Sequence, residues 1–243
     1  MPSSTKKIAI YTDEGTSAEG ITVLARRLQG YKPLFITAKD ISSRFLSTLS
    51  LLIIPGGRDI PYHEKISGTK AQNIIQFVQD GGSYLGICAG AYFASSEFEF
   101  DKGASLEILA KRELSFFPGK AIGPAFGPNT FRYDSKKGMK ATLVHSPLLT
   151  SPIYSIYHGG CYFEKAHESP GINLLGSYSE IAGSPPAIIS RQIGSGLALL
   201  SGVHLEYSAN DLPKGPLAKK LQSTDKEREE FFQMLIRKLV KSQ

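Results

Sequence analysis

Five consecutive residues, Gly86-Ile87-Cys88-Ala89-Gly90, have the types and the spacing to carry a nucleophile. They follow an apolar run ending Ser83-Tyr84-Leu85 and lead into a helix-forming stretch over residues 89–95. A strand, a sharp turn with one cysteine, and a helix make a nucleophile elbow. Such a strained turn leaves room for little but glycine on either side of the nucleophile. The start of a helix brings free N–H groups and a positive dipole end near the sulfur, which favours thiolate over thiol. The chemistry predicted is covalent catalysis by Cys88.

A thiolate that attacks an acyl carbon needs a base, and the base needs an orienting group. Of the five histidines, His204 is the best placed, after Leu197-Ala198-Leu199-Leu200-Ser201-Gly202-Val203 and before Leu205-Glu206. On an extended chain, residues i and i+2 point the same way, so Glu206 can meet one imidazole nitrogen while the other faces the cysteine. Alone, such a pair is more often a surface histidine beside a surface glutamate. Beside an elbow, the balance reverses. The oxyanion of an acyl-transfer intermediate needs donors. The Ala89 N–H, directly after the nucleophile, is one. Pro55-Gly56-Gly57 ends another apolar run, and the Gly57 N–H is expected as the second, with the Arg58 N–H behind it. His63, His145 and His167 read as surface or structural residues. His158 and Cys161, three apart in a glycine-rich segment, lack the further ligands a zinc site needs. Neither a metal nor any other cofactor is expected.

The elements that must position these residues alternate in type. Residues 7–12 and 33–37 read as strands, and residues 49–54 as a strand covered on both faces. Residues 17–29 read as a helix with Ile21, Leu24, Ala25 and Leu28 at helical spacing. Residues 40–46 read as a helical turn capped by Asp40, and residues 69–80 as a helix ended by Gly81-Gly82. This β-α-β order predicts a parallel sheet with right-handed crossovers, whose sites lie at the carboxyl ends of the strands. After residue 96, glycines and prolines thicken. Short β-like pieces follow at 106–109, 131–133, 141–144, 154–157 and 173–178. They form a β-rich extension at about 100–185, within a single domain over 1–243. A hairpin over 187–203 and a final helix opened by a capping box at Thr224-Asp225-Lys226-Glu227 complete the chain.

The chain has 243 residues, 41% hydrophobic and 21% charged, which suits a globular protein. Its net charge of +6 is scattered, and the densest basic group, near the C-terminus, alternates with acids. That pattern fits a solvated helix face better than a nucleic-acid footprint. No run approaches the roughly 20 apolar residues of a membrane span, and no apolar segment follows the N-terminus. Two cysteines, Cys88 and Cys161, make no disulfide framework and fit a reducing, cytoplasmic setting; a bond between them would disable the nucleophile. No nucleic-acid or membrane partner is expected.

Pro55-Gly56-Gly57, Gly86-Ile87-Cys88-Ala89-Gly90 and His204-Leu205-Glu206 resemble, in order and spacing, the class I glutamine amidotransferase pattern. The resemblance implies an α/β fold, a flavodoxin-like three-layer sandwich with a mainly parallel central sheet and an antiparallel extension. It implies Cys88 as nucleophile, His204 as base and Glu206 as its orienting group. It also implies an oxyanion hole at Gly57 and Ala89, and a substrate bordered by Gly56, Arg58, Tyr92, His158 and Gly159. Three longer segments narrow the family. They are residues 113–124 (ELSFFPGKAIGP), 157–163 (YHGGCYF) and 194–206 (GSGLALLSGVHLE). They resemble the amidotransferase-like N-terminal region of eukaryotic biotin–protein ligases and its stand-alone bacterial relatives. The likeness covers roughly residues 6–207 and leaves no space for the ligase domain, so ligase activity is not expected.

One position departs from working glutaminases. They carry glutamine two residues after the second elbow glycine, where it helps hold the substrate, and this chain has Tyr92. No attached synthetase domain is expected to receive ammonia. The leading expectation is therefore a Cys-His-Glu hydrolase acting on a small amide or peptide through a thioester. The alternative is a non-catalytic module on the same fold, serving an unidentified protein partner. A dienelactone-hydrolase-like enzyme also uses a Gly-x-Cys-x-Gly elbow, but it needs an Asp before the His.

Overall fold

Residues 49–54, apolar but for Ser50, can be buried completely only in a strand covered on both faces, and every one of them is buried. A computed structural model describes residues 7–241. The first part of the chain forms β1 (Lys7–Tyr11), α1 (Ala18–Arg27), β2 (Leu34–Ile36), α2 (Ser43–Leu46) and β3 (Leu49–Ile54). Next come α3 (Asp59–Ile66), α4 (Thr69–Gln79), β4 (Ser83–Ile87) and α5 (Ala89–Phe93). The middle contributes β5 (Ser95–Phe100), β6 (Ile108–Lys111), β7 (Phe117–Gly123), β8 (Lys140–His145), β9 (Ile153–Tyr157), β10 (Tyr162–Phe163) and β11 (Ile172–Tyr178). The chain closes with β12 (Pro186–Ile193), β13 (Gly196–Ser201), α6 (Pro216–Gln222) and α7 (Asp225–Lys241).

The main sheet has nine strands in the order β2-β1-β3-β4-β13-β12-β11-β8-β9. The first five pair in parallel and the last four add antiparallel strands. The period of two sends alternate side chains to opposite cores. Ala9, Tyr11, Leu52, Ile54, Tyr84, Ala198 and Leu200 face one core, with Tyr62, Ile74 and Phe93 of the helices. Ile8, Ile10, Leu51, Ile53, Leu85, Ile87, Leu197 and Leu199 face the other, under Leu24 and Leu28 of α1 and Phe231, Leu235 and Leu239 of α7. This is the expected α/β sandwich with a flavodoxin-like strand order at its centre.

The β-rich stretch divides between two sheets. β8, β9 and β11 extend the main sheet, whereas β10-β7-β5-β6 form a separate four-stranded sheet. Its Phe98, Phe100, Phe117 and Phe163 pack on the α3 side of the molecule. Several local expectations change. The helix after Cys88 ends at Phe93, and Ser95 already opens β5. Residues 131–133 are irregular rather than a strand. Ser42, not Asp40, caps α2, while Asp40 closes the preceding turn onto Thr37. The Thr224 hydroxyl accepts the Tyr154 N–H at 2.9 Å and so ties the start of α7 to β9. No helix among the described residues is long and apolar enough to cross a membrane.

Candidate active site

Parallel pairing brings three strand ends to one edge. Ile54 pairs beside Gly86, and Ile87 beside Ser201, so the residues following β3, β4 and β13 emerge together. Cys88 follows β4 directly. Its backbone has φ 50 and ψ −105, a conformation L-residues rarely adopt. The flanking glycines are required by close approach. A Cβ on Gly86 would stand 2.4 Å from the Gly90 carbonyl oxygen, and one on Gly90 would stand 2.0 Å from that of Ile54. The Cys88 N–H donates to the Ser201 carbonyl at 2.8 Å, and the Gly90 N–H to that of Pro55 at 3.2 Å. The elbow is thus pinned to both neighbouring strands.

His204 is held by β9, where its N–H donates to the Ile156 carbonyl at 2.8 Å. Gly202 lets the turn pass, since a Cβ there would stand 1.9 Å from the Cys161 carbonyl oxygen. The His204 Nδ1 lies 2.8 Å from Glu206 Oε1. Glu206 is 1% exposed, and its Oε2 is buried with no hydrogen-bond partner among the described residues. Arg27 Nε donates to the Glu206 carbonyl at 2.8 Å and anchors this segment to α1. Burial opposes charge on the His204 ring. The Glu206 carboxylate, together with hydrogen bonds to Cys88 and Glu206, outweighs it and pushes the pKa up from 6.5 to about 10. Gly56 separates the two reactive side chains. A Cβ on it would stand 2.7 Å from His204 Cε1 and 3.5 Å from Cys88 Cβ.

Backbone donors sort themselves by the short bridge between Thr16 and Gly57. The Arg58 N–H donates to the Gly15 carbonyl at 2.8 Å, so it is spent, and the expectation that it backs up the oxyanion hole is corrected. Neither the Gly57 N–H nor the Ala89 N–H donates to any described residue. Gly57 sits at φ 152, against Gly15, where no side chain fits.

Cys88 lies where two cavities meet. The larger, about 450 Å³, is bordered by His204, Gly56, Glu19, Lys136, Met139 and Tyr207. The smaller, about 300 Å³, is bordered by Ala89, Tyr92, Gly159, Phe98 and Phe100. Gly57, Arg58, Cys88, Phe131, Tyr133 and His158 border both. The His158 carbonyl accepts from the Cys88 thiol at 3.6 Å. Burial, then the charge of His204, holds the His158 ring below its usual pKa. Tyr92 is buried, and its hydroxyl donates to the Gly159 carbonyl at 3.0 Å. Arg58 pairs with Asp134 at 2.8 Å and stacks on Tyr133. Cys161 is fully buried, and both cysteines are free.

All ten residues singled out in the sequence therefore lie in or beside one cleft. Glu19, Ile156, Tyr207 and the segment 131–139 that roofs the cleft were not foreseen. Only the Phe131/Tyr133 pair, aromatic within a polar loop, signalled itself in the sequence.

Comparison with known proteins gives the family and the fold. A family model described as "Biotin-protein ligase, N terminal" matches residues 6–242. An uncharacterized protein of Chlamydia muridarum (strain MoPn / Nigg) is 38% identical over 210 residues, covering 83% of this chain and 81% of that protein. The biotin–protein ligase of Schizosaccharomyces pombe is 33% identical over 220 residues, which cover 85% of this chain but only 34% of the ligase. The crystal structure of a glutamine amidotransferase superposes with a TM-score of 0.61 over 92% of this chain and 98% of that one. At 15% identity, that likeness concerns the fold alone. The chain belongs to the biotin–protein ligase N-terminal family, on a glutamine amidotransferase-like fold.

Proposed function

We propose that the protein is a cysteine hydrolase that cleaves an amide bond through a thioester on Cys88. The observation that carries the reading is the His204 imidazole, bound at 2.8 Å to a buried carboxylate and set beside a cysteine in elbow geometry. A protonated imidazole there stabilises a thiolate. The sulfur attacks the substrate carbonyl carbon, and the carbon–oxygen π pair moves onto oxygen. The N–H groups of Gly57 and Ala89 are free to donate to that oxyanion. As it collapses, the C–N bond breaks and His204 gives its proton to the leaving amine. A thioester remains. Water then adds to it, His204 takes the water proton, and a second tetrahedral oxyanion collapses with loss of the Cys88 thiolate, which frees the acid and restores the thiolate–imidazolium pair. Glu206 keeps the imidazole in the orientation both halves need and stabilises the imidazolium present at the start and end of the cycle.

Iodoacetamide labelling tests the reading. Native Cys88 should alkylate faster than Cys88 of the unfolded chain, and His204→Ala should abolish the difference. Alkylation no faster in the native protein would refute it. The Glu206–His204 contact also speaks against a dienelactone-hydrolase arrangement, because the acid follows the histidine and already occupies Nδ1. A second reading, a binding module, draws on Tyr92, whose hydroxyl is engaged with the backbone where a glutaminase holds its substrate. It predicts that Cys88→Ser leaves partner binding intact.

A further inference from the structure

The two cavities differ in which reacting group they adjoin. Cys88 and Gly57 border both, His204 borders only the larger, and Ala89 borders only the smaller. In the mechanism above, on which this inference rests, His204 protonates the leaving amine. The amine must therefore sit in the larger cavity with His204. The acyl chain, on the other side of the attacked carbon, is left the smaller one.

The walls of the smaller cavity define what that chain can be. They include Tyr92, Phe98, Phe100, Ile108, Phe131 and Tyr133. Tyr92 packs edge-on against Phe98 and Phe100, and Phe131 against Phe100 and Tyr133, so the walls are braced ring to ring. The charged groups at this cavity are neutralised. The Asp59 carboxylate takes a fork of hydrogen bonds from Arg112, including Nε at 3.1 Å, and that guanidinium lies over the Phe98 ring. Arg58 is engaged by Asp134 and Tyr133 at the rim. The Tyr92 hydroxyl is committed to Gly159. An α-ammonium and α-carboxylate, as on glutamine, would lose water here and gain no free counter-charge. A volume of about 300 Å³ lies at the small end of ligand pockets and suits one ring rather than a peptide.

We infer that the cavity on the Ala89 side of Cys88 is an acyl pocket for an apolar group of aromatic-ring size, and that the substrate is an apolar-acyl amide rather than glutamine. A matched pair of amides tests this on the Cys88→Ala protein, where binding is read without turnover. Calorimetry should give phenylacetyl-glycinamide at least a tenfold tighter Kd than γ-L-glutamyl-glycinamide, which shares its leaving group. Ile108→Asp, on a half-buried edge-strand position, should erase most of that preference. Equal binding, or tighter binding of the glutamyl compound, overturns the assignment. Release of phenylacetate by the wild-type protein reads the hydrolase reaction separately. Apolar preference in binding without turnover or fast Cys88 alkylation sinks the hydrolase reading alone. Turnover or fast alkylation without that preference sinks the pocket alone.

Discussion

Glu206→Gln separates the charge of the orienting group from its shape. The amide can keep a hydrogen bond to Nδ1 at the observed 2.8 Å while removing the carboxylate charge, the chief force raising the His204 pKa. Burial, the largest influence of all, is then opposed chiefly by Cys88, and the balance moves toward the neutral ring. The rise from 6.5 to about 10 corresponds to on the order of 5 kcal/mol favouring imidazolium. In the variant, His204 should titrate well below its wild-type value, as read by imidazole NMR. With less imidazolium beside it, the Cys88 sulfur loses the neighbouring positive charge that favours a nucleophilic thiolate. Iodoacetamide alkylation at pH 7 should therefore fall at least tenfold. Stability gives a second readout. The folded pKa lies above the unfolded one, so protonated His204 stabilises the fold fully below about 6.5, and that contribution is lost as pH rises through about 10. The wild-type melting temperature should decline across that window more steeply than that of Glu206→Gln. A wild-type His204 that titrates near 6.5, or a variant that still titrates near 10, would refute the reasoning.

Gly56→Ala drives a methyl into His204 Cε1 at 2.7 Å, so alkylation of native Cys88 should slow more than tenfold while the chain still melts cooperatively. Gly90→Ala instead meets backbone, 2.0 Å from the Ile54 carbonyl oxygen, and should cost roughly 3 kcal/mol or more in urea unfolding. Asp59→Asn or Arg112→Met alone breaks a pair whose side chains are 8% and 5% exposed, at about 3–5 kcal/mol by the same assay. Asp59→Leu combined with Arg112→Met should recover most of that loss. The roof segment is latched by exposed pairs, Arg58–Asp134 at 2.8 Å and Lys136–Glu19 at 3.1 Å, each contributing at most ~1 kcal/mol and screened by salt. Proteolytic nicking within residues 129–138 should thus accelerate in high salt, and in Arg58→Ala at low salt.

What could be read in the sequence was what local pattern encodes. β3 and β13 declare themselves as continuous apolar runs, and α1 through Leu24 and Leu28 at helical spacing. Cys88 with its glycines, and His204 with Glu206, are legible because each constellation spans a few residues of one strand end. α3 hides because Asp59-Ile60-Pro61 reads as a loop. Pro61 is nevertheless harmless at the third helical position, where the missing N–H would have no partner. β5 hides because a bulge between Ser95 and Glu97 spoils its period of two, and β7 because it carries Pro118 and Gly119. Glu19, Ile156 and Tyr207 reach the cleft only through register and crossover, which no local window contains. Phe131 and Tyr133 have β-type composition, but their rings are held by Phe100 and by each other rather than by a strand partner.

The division of labour between the layers would let a chain of this fold hold the proposed nucleophile and base at the strand ends while its pocket walls differ. Cys88, Gly57 and His204 come from the ends of adjoining strands in the main sheet, and their spacing is set by parallel register. The walls of the acyl pocket come from elsewhere: Phe98 and Phe100 of β5, Ile108 of β6 and the roof segment. Side chains in that second layer can change without moving the strand ends. Tyr92 stands at the junction, one turn into α5, and its hydroxyl fits only because Gly123 of β7 has no side chain, since a Cβ there would stand 1.5 Å from it. Meanwhile, the left-handed backbone at Cys88 costs on the order of 1–3 kcal/mol. A buried carboxylate at Glu206, one oxygen of which has no partner among the described residues, adds a cost of about 1–3 kcal/mol. Glycine at position 88 and an apolar residue at 206 would relieve both costs in a protein that only needed the fold. Both costs fall on groups that the hydrolase reading uses, the nucleophile and the residue that orients its base, and so favour that reading over a binding module.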